Sequence, residues 1–386
     1  MRVCFSLVLR KRWSGTKRWG FARKFASGCV FLAVEGSVAC GGMVREPGSE
    51  LVDAATDAVV ADASVEERES DGDDTKAGPP SCAPGGLGMT QCGANQDSCC
   101  ASQEVVGGQY YRTYSNDGGG AAGEADFATV SSFRLDKYDV TVGRFRQFVK
   151  AWNEGWLPNA GSGKHTHLNG GQGLVDVSAS AEAGVVYEPG WLASDDTYIA
   201  PTDSNLGCPS PAGTWTNVVG TQENLPINCI NWQEGFAFCI WDGGFLPSEA
   251  EWEYAAAGGS QQREYPWGST DPGTMNLYAI YDCDYPSGSG LCGPPGSVSS
   301  IAPVGTTRLG AGRWGQFDLA GDAEQWTLDG YAKYVNPCVD CAYAAQACGR
   351  VFRGGHGNVD RSGLLPTERG FFSSLGSNGV RCARLP

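Results

Sequence analysis

Sixteen cysteines in 386 residues restrict what this chain can become more than any other feature. In a reducing compartment such a count points to metal ligands or redox chemistry. In an oxidising one it points to a disulfide framework. The N-terminus decides between them. A basic stretch (Arg10, Lys11, Arg12, Lys17, Arg18, Arg23, Lys24) precedes an apolar run, Val30 to Val34, and then Ser37-Val-Ala-Cys40. That is the order of an export signal over residues 1–40, and it predicts a protein of the periplasm, cell surface or exterior. The small residues before Cys40 look like a bacterial lipobox, whose cysteine is lipidated. Glu35 interrupts the apolar run and Ser37 stands where Leu is usual, so lipidation at Cys40 and simple cleavage both stay open. Such an anchor is the one membrane contact expected, because no other segment approaches the roughly 20 apolar residues of a span.

Charge is unevenly placed. Residues 1–40 hold eight Lys or Arg and one acid, so the net −15 of the whole chain leaves −22 on the rest. No basic stripe remains that could neutralise phosphates, which argues against a nucleic-acid partner. Residues 41–81, with Glu66-Glu-Arg-Glu-Ser-Asp-Gly-Asp-Asp74, read as a disordered acidic linker. Cys82, Cys92, Cys99 and Cys100 make residues 82–104 a small stapled segment, and a single domain is expected over 105–386. Glycine, at 56 residues, favours a loop-rich α+β fold with short strands and many tight turns.

Local signals place a few elements. Ser132 to Tyr138 alternates like a strand. Thr141 can cap a helix with Phe145, Phe148, Val149 and Trp152 on one face. Asn231 with Glu234, and Ser248 with Glu251, are capping-box pairs; Gly243-Gly244 and Gly258-Gly259 end the helices they open. The second of these helices (after Asn231) should bury Trp232, Phe236, Cys239 and Ile240. Short strands are expected at Arg350–Arg353 and Asn378–Cys382.

Six pieces then fall in a specific order. They are Phe133-Arg-Leu-Asp-Lys-Tyr-Asp-Val-Thr141 and Leu225-Pro-Ile-Asn-Cys-Ile-Asn-Trp232, then Phe245-Leu-Pro-Ser-Glu-Ala-Glu-Trp-Glu-Tyr-Ala-Ala-Ala-Gly-Gly259 leading into Tyr265-Pro-Trp-Gly268. After them come Phe317-Asp-Leu-Ala-Gly-Asp-Ala-Glu-Gln-Trp326, Arg350-Val-Phe-Arg-Gly-Gly355 and Gly379-Val-Arg-Cys382. In this order they resemble the formylglycine-generating enzyme (sulfatase-modifying factor) family over about residues 105–386. The resemblance implies an irregular, disulfide-stapled α+β domain related to C-type lectins.

Family chemistry oxidises a sulfatase cysteine to an aldehyde, using oxygen and copper held by two thiols that follow the Gly-Gly. Soft thiolates suit Cu(I). The matching slots here are Val359 and Leu364, and His356 stands where the family has a substrate-holding Ser. No catalytic residue is therefore expected, and copper is not expected. A branch that uses histidine-held iron is disfavoured, since the chain has only His165, His167 and His356. Around its Gly-Asn-Val-Trp-Glu-Trp motif the family holds calcium through a side-chain oxygen, two backbone carbonyls and a carboxylate. The matching positions are Asp318, Gly321, Ala323 and Gln325, so the resemblance implies calcium there. Gln325, however, offers a neutral carbonyl where the family has Glu. Asp322 could compensate, and an ordinary turn held by hydrogen bonds is the alternative. A second family site would use Asn276 and Leu277 but lacks its matching Asp. Glu249, Glu251 and Glu253 read as structural rather than as paired catalytic acids.

The resemblance also implies a Cys239–Cys382 bridge, while a further family bridge would need cysteines where Ala256 and Arg369 stand. Proximity suggests Cys208 with Cys229 and Cys283 with Cys292. Excluding Cys4, Cys29 and Cys40 leaves thirteen, so one thiol, assigned to Cys348, should lack an intrachain partner. Cys338-Val-Asp-Cys341 with Cys348 and His356 has zinc-ligand types, but export favours a disulfide. Lys164-His-Thr-His167 reads as a solvated loop. The expected function is a non-catalytic binding or accessory protein of the cell envelope with a protein, peptide or glycan ligand. The alternative is an enzyme of the same family, either a formylglycine-generating oxidase or one with different chemistry.

Overall fold

The computed structural model describes residues 78–171, 175–176, 186–187, 190–208, 213–288, 300–344, 349–371 and 378–386. The expected export signal with Cys40, nearly all of the expected acidic linker, Cys292 and Cys348 lie outside the described residues.

Twelve short strands and four helices carry the described part. The strands are β1 (Ser102–Val105), β2 (Gly108–Ser115), β3 (Ala122–Val130), β4 (Phe133–Asp136), β5 (Val175–Asp176), β6 (Val186–Tyr187), β7 (Glu324–Gly330), β8 (Cys338–Val339), β9 (Tyr343–Ala344), β10 (Arg350–Arg353), β11 (Asn378–Gly379) and β12 (Ala383–Arg384). The helices are α1 (Val142–Asn153), α2 (Asp203–Leu206), α3 (Trp232–Trp241) and α4 (Glu249–Ala256). The strands form four three-stranded sheets, ordered β1-β4-β12, β2-β3-β8, β10-β7-β11 and β6-β5-β9. This is the irregular α+β architecture expected from the glycine content and the resemblance.

The helix starts follow their caps. Thr141 accepts from the Arg144 amide at 3.2 Å. Asn231–Glu234 and Ser248–Glu251 both form complete capping boxes. The expected single apolar face of α3 is too narrow a description. Ala237 and Phe238 are buried as well as Trp232, Phe236 and Cys239, because α3 packs against both α1 and β7. Phe145 and Phe148 of α1 meet Phe238 at ring-centroid distances of 5.5 and 5.9 Å. A second core joins α4 to the β2–β4 region through Tyr110, Phe133, Leu135, Trp252 and Tyr254.

Within α3's cap lies a titrating group. Glu234 accepts from the Asn231 and Ala200 amides at 3.0 and 3.2 Å, yet burial pushes its carboxyl up to about 7. The folded state therefore holds this proton more tightly than the unfolded chain does. Stability from this group is fullest below the ordinary carboxylate value and is lost as pH rises toward about 7, a change on the order of 2–3 kcal/mol. Glu234→Gln cannot titrate. Urea midpoints at pH 5 and pH 8 should shift in the variant's favour, relative to wild type, at the higher pH.

Five disulfides are described: Cys82–Cys100, Cys92–Cys99, Cys208–Cys229, Cys239–Cys382 and Cys338–Cys341. Cys283 is disulfide-bonded too. The disulfide that export favours over zinc is present at Cys338–Cys341, so these two thiols are bonded to each other and not to a metal.

The cysteine-rich segment belongs to the fold. β1 pairs with β4 in register, and the residues before it close over a buried ion cluster. Arg144 bridges Asp136 at 2.9 Å and Asp242 at 2.5 Å, with all three side chains fully buried. Arg384 reaches both acids from the other side. Ser81 donates its amide to Asp242 Oδ1 and accepts Arg144 Nε at 3.0 Å, while Arg144 also donates to the Cys99 carbonyl. Gly143 of α1 lies against the Gly88 backbone with no room for a Cβ. The two ends of the described domain meet: Gly78, Pro79 and Pro80 line one depression with Leu385 and Pro386.

Candidate functional site

The positions expected to match the family's copper thiols, Val359 and Leu364, follow β10. Gly354 and Gly355 take φ of 96° and 65°, a left-handed pair that glycine adopts without strain. This turn faces a cavity of about 140 Å³ lined by Glu324, Phe352, Gly354, Val359, Gly363 and Arg369. That volume is well below the roughly 300–1,000 Å³ of a small-molecule pocket. It has room for about one side chain.

Val359 and Leu364 come together here, as an apolar pair. Leu364 is buried with Tyr265, Ala279, Tyr281 and Ala320, and Val359 packs against the same cluster. A Cβ on Gly363 would strike Val359 at 2.6 Å, so the loop is closely packed around it. No thiol is present at either slot. His356 accepts from the Asn358 amide at Nδ1, 3.1 Å away, which leaves Nε2 as the protonated nitrogen. That nitrogen sits 3.9 Å from Glu324 Oε1. Burial lowers the His356 pKa, so the ring is a neutral donor at pH 7.

Behind the turn is an ion network that sequence reading missed in part. Arg353, fully buried, donates to Glu249 Oε1 at 2.8 Å, Glu253 Oε2 at 2.8 Å and the Tyr334 hydroxyl at 2.7 Å. Arg369 pairs with Glu249 at 2.7 Å and donates to the Ala332 carbonyl. Burial raises the Glu253 carboxyl to about 7 against the pull of Arg353. Of the three α4 acids, Glu251 completes the cap while Glu249 and Glu253 bind arginine. Tyr334 carried no signal in the sequence, because it reaches Arg353 from a loop between strands.

The calcium-type positions are also brought together, in the turn from Asp318 to Gln325. Asp318 is left-handed, with φ of 58°, and its Oδ2 and Oδ1 accept from the Gly305 amide and the Thr307 hydroxyl. Gln325 Oε1 accepts from Trp252 Nε1 and Arg381 Nε, and Gln325 Nε2 donates to the Asp318 carbonyl. Gly321 seats against Ile280, and Ala323 is buried. Asn276 is nearly buried and left-handed. Among the described residues no group of three or more His, Cys, Asp or Glu could hold a metal.

The histidine loop differs from expectation. His165 and His167 are not solvated. His165 is fully buried and bonds the Leu246 carbonyl. His167 pairs with Glu251 at 2.6 Å, and both rings lie on Phe245. The loop is a strut on α4's cap.

The domain family described as Sulfatase-modifying factor enzyme 1-like domain matches residues 91–385. The chain belongs to this family. It is 32% identical over 284 residues to the formylglycine-generating enzyme of Streptomyces coelicolor, covering 68% of this chain and 82% of that protein. It is 26% identical over 210 residues to the Bos taurus formylglycine-generating enzyme, covering 52% and 49%. It is 27% identical over 258 residues to the inactive C-alpha-formylglycine-generating enzyme 2 of Mus musculus, covering 62% and 72%. The chain thus spans about half the length of the bovine relative it matches.

Proposed function

We propose that this member of the family is a non-catalytic binding or accessory protein of the cell envelope. The observation that carries the reading is the packing of Val359 and Leu364 into an aromatic-lined cluster at the slots where copper thiols would stand. Neither side chain offers a donor, and Cu(I) needs soft ligands. The disulfides and the basic-then-apolar N-terminus support export. An inactive relative in the same family is consistent with a scaffold kept after its chemistry is lost. The small cavity lined by Glu324 and Arg369 suits one side chain or sugar of a protein, peptide or glycan ligand, and the net negative charge disfavours nucleic acid.

The test is mass spectrometry of a peptide carrying Cys-x-Pro-x-Arg after incubation with the copper-loaded, oxidised protein. The peptide cysteine should stay unconverted and copper should wash off, while a catalytically active relative converts the same peptide. Conversion to the aldehyde would return the chain to the oxidases.

A further inference from the structure

Calcium takes six to eight oxygens, with carboxylates supplying the charge. The turn at Asp318–Gln325 offers few that are free. Both acceptor directions of Gln325 Oε1 are taken, by Trp252 Nε1 at 2.7 Å and Arg381 Nε at 3.1 Å. The guanidinium of fully buried Arg381 also repels a divalent ion at that oxygen. The Asp318 carbonyl is held by Gln325 Nε2 at 2.7 Å. The Asp318 carboxylate is held by Gly305 at 2.6 Å and Thr307 at 3.1 Å. Two buried carboxylate oxygens nearby, Asp322 Oδ2 and Asp139 Oδ2, have no hydrogen-bond partner, but Asp139 is already paired with the Arg381 guanidinium at 3.1 Å, and two oxygens beside a fixed cation fall well short of six. The residues present do not fit calcium.

We infer that Gln325 does the work of a cation in this turn, and that the protein holds the turn without a divalent metal. A glutamate at position 325 could still accept from Trp252 and Arg381. Its second oxygen would then face the Asp318 carbonyl oxygen, and a cation between the two would relieve that repulsion. The amide N–H of Gln325 fills the same gap with a hydrogen bond. One nitrogen in place of one oxygen makes the difference.

The test compares thermal unfolding and calorimetric titration of the whole protein in EDTA and in about 10 mM calcium, a level above the weakest extracellular affinities. Wild type should melt at the same temperature in both and give no binding heat. Gln325→Glu should melt lower in EDTA and recover with calcium. Gln325→Met, which removes the bonds without adding charge, should melt lower in both alike. A calcium-dependent rise in the wild-type melting temperature overturns the inference, as does a Gln325→Glu protein indifferent to calcium. The wild-type comparison decides even where a variant does not fold.

Discussion

Replacing Arg144 with methionine is expected to lower the melting temperature by about 10 °C. Arg144 stands between two fully buried carboxylates, Asp136 and Asp242. Methionine fills similar volume but leaves two buried acids to share Arg384, whose side chain is 14% exposed. Breaking a buried pair by removing one partner costs about 3–5 kcal/mol, because the remaining charge has lost water and found nothing in exchange. The hydrogen bonds to Ser81 Oγ and the Cys99 carbonyl go with it, so the cysteine-rich segment should loosen on α1. Differential scanning calorimetry reads the first effect, and amide exchange over residues 80–101 the second. Arg146→Met is the comparison. Its partner Glu223 is buried, but Arg146 itself is partly exposed, and the loss should be much smaller. Equal losses would show that burial of the Arg144 cluster is not what makes it matter.

The second large effect is expected from the Cys239–Cys382 bridge. It joins α3 to the end of the chain across 143 residues. Chain entropy assigns a loop of that length about 5 kcal/mol. The Cys239→Ala/Cys382→Ala double variant should therefore unfold at a much lower denaturant midpoint than wild type, and the difference should vanish when both are fully reduced. Cys338–Cys341 closes a separation of only three residues. The same relation gives about 2 kcal/mol, so its removal should be felt far less. A reversed ranking would place the stabilisation in native-state packing at the bridges rather than in the unfolded chain.

What could be read beforehand was what is local. The caps at Asn231 and Ser248 are short-range chemistry, since a side chain three residues from a backbone amide announces itself. Val359 and Leu364 likewise sit at short, fixed offsets from Gly354-Gly355, and the fold brings both into one apolar cluster. Partners across long separations were not legible. Arg353 meets Glu253 a hundred residues away and Tyr334 from another strand's flank, and no spacing rule connects them. The histidine loop departs from its local signals for the same reason. Locally it is polar and glycine-rich, and only the fold sets His165 and His167 on Phe245. Calcium was implied by position alone; whether Gln325 accepts or donates toward Asp318 depends on Trp252 and Arg381, which arrive from elsewhere in the chain.

The meeting of the two ends has a mechanical meaning. A pull applied through both would load one corner of the domain, where Gly78–Pro80 lie beside Leu385–Pro386. Behind the last four residues stands Cys382, bonded into α3, and behind Ser81 stands Cys82, bonded to Cys100. Cys82–Cys100 keeps residues 83–99 from being drawn out, and Cys239–Cys382 keeps the end of the described domain tied to α3.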